Sequence, residues 1–288
     1  MFSAFLITLR EGLEMSLIVG IIFAYLARTG KRREFGAIWA GVAGAVALSL
    51  LTGAVILATA GEFRGRAEQL FEGAAMVTAV GVLTFMVFWM QRQASAIRSE
   101  LQSRLGDALR AGSRGALVAL TVVSVGREGI ETALFLFAAV RASSPILALS
   151  GAILGLACAV VLGALIYRGS HRLRLRTFFN VTSVLLLLVG AGLLARGVGE
   201  FQEAAILPPL VAHLWDTHAA IPETSALGNL LQAVFGYISA PSLLQVALYL
   251  AYLAAVGWSF LRPTAAPAGR PGTDGVRRAA DAPAQPKV

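Results

Sequence analysis

Seven runs of roughly twenty mostly apolar residues dominate this chain, near 2–27, 35–60, 70–91, 115–140, 146–167, 177–198 and 242–261. A helix rising about 1.5 Å per residue needs about 20 such residues to cross some 30 Å of hydrocarbon. The composition agrees: 57% of residues are hydrophobic and 14% are charged, against about 25% charged in an ordinary soluble domain. The expected fold is therefore an all-α polytopic membrane protein with seven transmembrane helices. The one cysteine, Cys158, lies in an apolar run and permits no intrachain disulfide. The first run has no basic stretch before it and is longer than a signal-peptide core, so it reads as a permanent span.

Lys and Arg set the expected orientation. Eighteen of the 24 basic residues fall in 28–34, 92–114, 168–176 and 262–288, which lie on one side if seven spans alternate. Arg64, Arg66 and Arg141 fall on the other. The N-terminus is expected outside and the C-terminus inside, with the basic surplus a topology signal and no nucleic-acid footprint. Residues 1–262 form the expected membrane domain, and 263–288, rich in Pro, Ala, Gly and Arg, read as a disordered cytoplasmic tail. The arginines of that tail are suited to touching anionic membrane lipid. The stretch 199–241 reads as a long outer loop with a short helix near Leu227 to Gly236, followed by the last span at 242–261.

Inside the apolar runs, one pentapeptide occurs twice. Arg10-Glu11-Gly12-Leu13-Glu14 sits in the first run and Arg127-Glu128-Gly129-Ile130-Glu131 in the fourth, 117 residues later. The second and fifth runs also echo each other, through Gly41 and Gly53 in one and Gly151 and Gly163 in the other. Repeat one would cover about 1–91 and repeat two about 115–198. Three spans per repeat is odd, so the halves would run in opposite senses as an inverted repeat with one added helix. In transporters built this way, the ion site lies at the repeat interface near the bilayer midplane.

Both pentapeptides lie near mid-span, where each ionised side chain costs at least about 2.5–3.5 kcal/mol. Glutamates three apart share a helix face, so Glu11 with Glu14 and Glu128 with Glu131 can converge. Gly12 and Gly129 allow close backbone approach. Arg10 and Arg127 each have a glutamate four residues on, within reach of an ion pair. Two arginines balance only two of four glutamates, and the excess negative charge calls for a hard cation held by oxygen ligands. A buried Arg–Glu network that merely staples two helices is the competing reading.

These features resemble the high-affinity iron permease family, which includes fungal oxidase-coupled permeases and bacterial ferrous-iron-uptake permeases of the EfeU type. The resemblance covers about residues 1–262. It extends to Leu83-Thr84-Phe85-Met86-Val87-Phe88-Trp89-Met90, Gly199-Glu200-Phe201-Gln202-Glu203-Ala204, Trp215-Asp216, Leu227-Gly228, Phe235-Gly236-Tyr237 and Pro241-Ser242-Leu243. It implies iron as the transported ion across the cytoplasmic (inner) membrane, with Glu11, Glu14, Glu128 and Glu131 as ligands and no permanently bound cofactor. It also implies separate periplasmic partners: an iron-binding or cupredoxin-like protein, and a peroxidase or oxidase that supplies any oxidation. Similar permeases carry lead or other divalent metals, so the cargo has an alternative. An intramembrane metalloenzyme is a further alternative, disfavoured because His171, His213 and His218 all lie outside the apolar runs.

The expected outer face carries Glu62, Glu68, Glu72, Glu200, Glu203, Asp216 and Glu223 against three arginines, and a negative mouth concentrates cations. Glu72, Glu200 and Glu203 form a possible relay into the site, with a solvated acidic rim as the plainer reading. His213, Asp216 and His218 form a compact cluster with mixed nitrogen and oxygen ligands, suited to early capture or simply to an exposed loop. Arg127 also has a side chain long enough to pair with Glu72 or Glu203, which would be a structural contact.

Overall fold

The computed structural model describes residues 1–93, 97–142, 144–167 and 175–261. The expected tail at 263–288, together with His171, lies outside the described residues. Among these residues there are helices and connecting segments and no strand. The helices are α1 (Phe2–Arg28), α2 (Phe35–Glu62), α3 (Arg66–Gln93), α4 (Ile97–Arg110), α5 (Arg114–Arg141), α6 (Pro145–Tyr167), α7 (Leu175–Glu203), α8 (Ala226–Phe235) and α9 (Leu243–Leu261), with a 3-10 turn at Arg32–Glu34.

Among the described residues, four segments are long and apolar enough to cross a membrane: Arg32–Glu62, Arg66–Met90, Pro145–Tyr167 and Thr177–Glu203. In the first of these only 11% of the most apolar window is buried inside the molecule. Leu50 on α2 is 70% exposed, and Ile146 and Ile153 on α6 and Val123 on α5 are similarly open. An apolar surface of this extent has no place in water; hydrocarbon is the solvent it fits. α1 and α5 match these helices in length but carry the charged pentapeptides.

The packing exchanges partners between the halves of the chain. α1 packs most extensively on α6, α2 on α5, and α3 on α7. Small residues set these approaches. A Cβ on Gly12 would lie 2.7 Å from Ala159 Cβ, and one on Gly129 would collide with the Ser49 side chain. A Cβ on Gly163 would meet Ser16, and one on Gly53 faces Ala133 at 3.8 Å. These contacts pair off under the two shifts seen in the sequence: 117 residues relate Gly12 to Gly129 and Ser16 to Ala133, and 110 relate Ser49 to Ala159 and Gly53 to Gly163.

The segment 92–114 departs from the expected basic loop. Residues 97–110 form α4, whose Leu101 and Leu105 are buried against Ile22 and Leu26 of α1, Ile38 of α2 and Leu117 of α5. Glu100, Arg104, Asp107 and Arg110 face outward, with Arg104 and Glu100 paired at 2.7 Å. The residues are polar on average, but apolar side chains four apart gave one face enough surface to dock. α7 likewise runs on to Glu203, past the expected end of its span at 198, so the long loop begins at Ala204.

α8 follows the position expected for the short helix. Ser225 caps its first turn by accepting the Gly228 N–H at 2.9 Å. Gly236 closes it in the left-handed region at φ +68°, a conformation that costs glycine little. The Gly236 backbone also rests directly on Gly192 of α7, leaving no room for a Cβ on either residue.

Candidate metal site

The two pentapeptides meet at the contact between α1 and α5. Carboxylate oxygens of Glu11, Glu128 and Glu131 lie within 4.8 Å of one another. Carboxylate–metal bonds of about 2.0–2.2 Å hold three oxygens spread evenly around one ion about 3.5–3.8 Å apart, so a closure of about 1 Å would bring all three onto one cation. Glu11, Glu14 and Glu128 are buried, and Glu131 is half-buried. Glu14 is one turn along α1 and faces Arg10, with its Oε1 3.3 Å from Arg10 Nη2.

Arginine surrounds this group unevenly. Arg10 is wholly buried and donates Nη1 to Glu11 Oε1 at 3.1 Å and to Met86 Sδ at 3.3 Å. Arg127 donates Nε to Glu131 Oε1 at 2.9 Å and lies over the Trp89 ring, 4.8 Å from its centroid. Its side chain is 41% exposed. The expected reach of Arg127 towards Glu72 or Glu203 gives way to this pairing. The partner of Glu72 is Arg141, at 2.6 Å. The α-helical rise explains the difference, because Arg141 is fourteen residues, about 21 Å, farther along α5 than Arg127.

One oxygen in each site glutamate remains buried without a hydrogen bond: Glu11 Oε2, Glu14 Oε1, Glu128 Oε2 and Glu131 Oε2. Buried polar atoms are almost always satisfied; Glu14 Oε1 still has the Arg10 ion pair at 3.3 Å, and the unfilled oxygens of the converging Glu11, Glu128 and Glu131 form a donor set that suits a hard cation. Apolar layers flank the group along α1. On one side Ala4, Leu6 and Ile7 pack with Met76, Leu83 and Phe135; on the other lies the layer made with α4.

Residues 1–264 match the iron permease FTR1 family. The chain belongs to that family. It is 41% identical over 272 residues to the ferrous iron permease EfeU of Yersinia pestis, covering 93% of this chain and 96% of the relative. It is 42% identical over 265 residues to the ferrous iron permease EfeU of Escherichia coli O6:H1, covering 91% and 96%. The Shigella sonnei protein of the same name is 43% identical over 255 residues, covering 88% and 92%. No solved structure matches the chain. Membership in the FTR1 family makes this chain a membrane permease and not an enzyme.

Other residues singled out in this FTR1-family sequence lie apart from the carboxylate group. Glu72 and Glu68 at the start of α3 share Arg141, at 2.6 and 3.6 Å. Glu203 at the end of α7 accepts from Gln69 Nε2 at 3.2 Å. Glu200 packs beside Gly73. His213, Asp216 and His218 are exposed, and Asp216 Oδ1 accepts the His218 backbone N–H at 2.9 Å, a turn contact. Met86 and Trp89 stood in the family-like stretch of α3 with no role attached. The signal that marks them is that each reaches a guanidinium across a helix interface.

The long segment after α7 is pinned to the bundle by Glu223. Its Oε1 accepts the Ser239 N–H at 2.8 Å and the Ser239 hydroxyl at 2.9 Å, and Oε2 lies 3.6 Å from Arg196 Nη2. Burial pushes this carboxyl up, but the Ser239 hydrogen bonds and Arg196 outweigh it and hold it below the usual carboxylate value. A depressed folded pKa stabilises the fold above the unfolded value and is lost as pH falls through the folded one. Pepsin nicking of residues 204–242 is therefore expected to rise as pH drops below about 4. In Glu223→Gln the same acid-triggered rise should be blunted, because the pin is already weakened at neutral pH.

Proposed function

We propose that this chain carries iron across the cytoplasmic membrane through the carboxylate site built by its two pentapeptides. The observation that carries the reading is the convergence of Glu11, Glu128 and Glu131, each with one buried oxygen that no hydrogen bond fills. Glu14 completes the ligand supply from one turn away. Family membership and the ferrous-permease names of the relatives support iron as the cargo. The apolar layers on both sides of the site support an occluded resting point along the path.

Seven helices cross the membrane in this reading: α1, α2, α3, α5, α6, α7 and α9, with the N-terminus outside and the C-terminus inside. α4 then lies on the cytoplasmic side, and the acidic group of Glu68, Glu72, Glu200 and Glu203 lies at the outer mouth, where it draws cations in. The exchanged pairing of α1 with α6 and α2 with α5, and the reciprocal glycine contacts, support an inverted duplication. A site on the interface of such a duplication is reached alternately from each side when the halves rock. Oxidation, where it occurs, falls to a periplasmic partner: a cupredoxin-like or iron-binding protein with a peroxidase or oxidase.

Radio-iron uptake in an iron-transport-deficient bacterium tests the reading. Cells making this chain together with the periplasmic partners are expected to accumulate iron well above cells with an empty vector. Uptake of lead in place of iron would instead favour the alternative cargo, and no uptake of either would sink the transport reading.

A further inference from the structure

We propose that Met86 and Trp89, one turn apart on α3, hold the two motif arginines off a bidentate grip on the site glutamates and so keep the carboxylates open to the ion. The inference rests on the reading of Glu11, Glu128 and Glu131 as cation ligands. Guanidinium and carboxylate prefer a forked pairing through two parallel N–H bonds. Neither arginine makes one. Arg10 divides Nη1 between Glu11 Oε1 and the Met86 thioether, while its Nε and Nη2 form no hydrogen bond although wholly buried. Arg127 gives a single N–H to Glu131 and sets its guanidinium carbon 4.8 Å from the centroid of the Trp89 ring.

A thioether is a weak acceptor, yet Arg10 gives it an N–H of Nη1, while Nη2 is ion-paired with Glu14 Oε1 at 3.3 Å without completing a hydrogen bond. The sulfur, buried in the α3 layer, sets where the guanidinium sits. On the α5 side the indole face does the same by cation–π attraction. α3 supplies neither a carboxylate nor an arginine to the group, but contacts both arginines from residues three apart. Without these two holds, the guanidiniums turn onto the free oxygens and become tethered competitors of the transported cation.

Anaerobic binding of ferrous ion to the purified full-length chain, read beside its thermal unfolding midpoint without metal, tests this. Met86→Leu keeps the volume and removes the acceptor; Trp89→Leu removes the ring face and Trp89→Phe keeps one. Met86→Leu and Trp89→Leu are expected to weaken ferrous binding by about tenfold or more, the loss typical when a partner that orients a metal site is removed. Their metal-free midpoints are expected to stay level or rise, because the arginines gain carboxylate bonds. Trp89→Phe is expected to bind nearly as the parent does.

Unchanged binding in Met86→Leu and Trp89→Leu overturns the proposal, as does a midpoint that falls together with binding, the mark of a packing role. Glu128→Gln separates this from the underlying reading. If Glu128→Gln loses ferrous binding while the α3 variants keep it, the α3 proposal alone fails. If Glu128→Gln binds as the parent does, the carboxylate reading fails and takes this one with it.

Discussion

Replacing Glu128 by glutamine is expected to abolish iron uptake while leaving the chain in the membrane. The side chain keeps its size and one acceptor oxygen but loses its charge. The site then holds three carboxylates against two guanidiniums in place of four against two, and its attraction for a cation falls accordingly. Loss of an outer partner of a metal ligand already costs about 10–100-fold in affinity or activity, and a ligand itself should cost at least as much. The fold has little to lose, because Glu128 Oε2 has no hydrogen-bond partner to forfeit and one like charge leaves a crowded group. Glu11→Gln and Glu131→Gln should lose uptake in the same way, but each also weakens an ion pair, with Arg10 and Arg127, so uptake is read per unit of protein in the membrane. Normal uptake by all three variants would mean that the carboxylates only staple α1 to α5.

The second large effect is on folding. Arg10→Leu is expected to leave little folded protein, where Arg127→Leu leaves most of it. Arg10 is wholly buried between Glu11 and Glu14. Removing one member of a buried ion pair strands the other and costs about 3–5 kcal/mol, which is a large part of a typical total stability of about 5–15 kcal/mol. Arg127 is 41% exposed, and its loss strands only the half-buried Glu131. Adding Glu14→Gln to Arg10→Leu should restore part of the folded yield. The measurement is the monodisperse fraction extracted in detergent. Equal yields from the two arginine variants would show that their burial does not matter.

Much of this architecture was open to a reading of the chain. Helices α1, α2, α3, α5, α6, α7 and α9 lie within a few residues of the seven apolar runs, because a run of that length has few other ways to satisfy its backbone. The convergence of Glu11, Glu128 and Glu131 follows from two copies of one pentapeptide on helices that pack. α4 was missed because five arginines between 92 and 114 outweighed the spacing of Leu101 and Leu105, four apart on one helical face. The arginines' neighbours were beyond reach for another reason. Which residues of α3 meet Arg10 and Arg127 depends on how far α3 slides along α1 and α5, and no periodicity reports that offset. The same offset explains why Arg141, and not Arg127, answers Glu72.

The exchanged partners also bear on how the chain is made. α1 emerges from the ribosome with Arg10, Glu11 and Glu14 already in its middle, but its main neighbour, α6, ends at Tyr167. At about 5–20 residues per second, α1 waits roughly 7–30 s for that neighbour, and α2 waits for α5 in the same way. Throughout that interval the small-residue faces of the first three helices are open, and the Arg-Glu pentapeptide of α1 has no counterpart from across the interface. Neither half can complete a core alone, so biogenesis is expected to include a holding step that shelters α1 until α6 has been made.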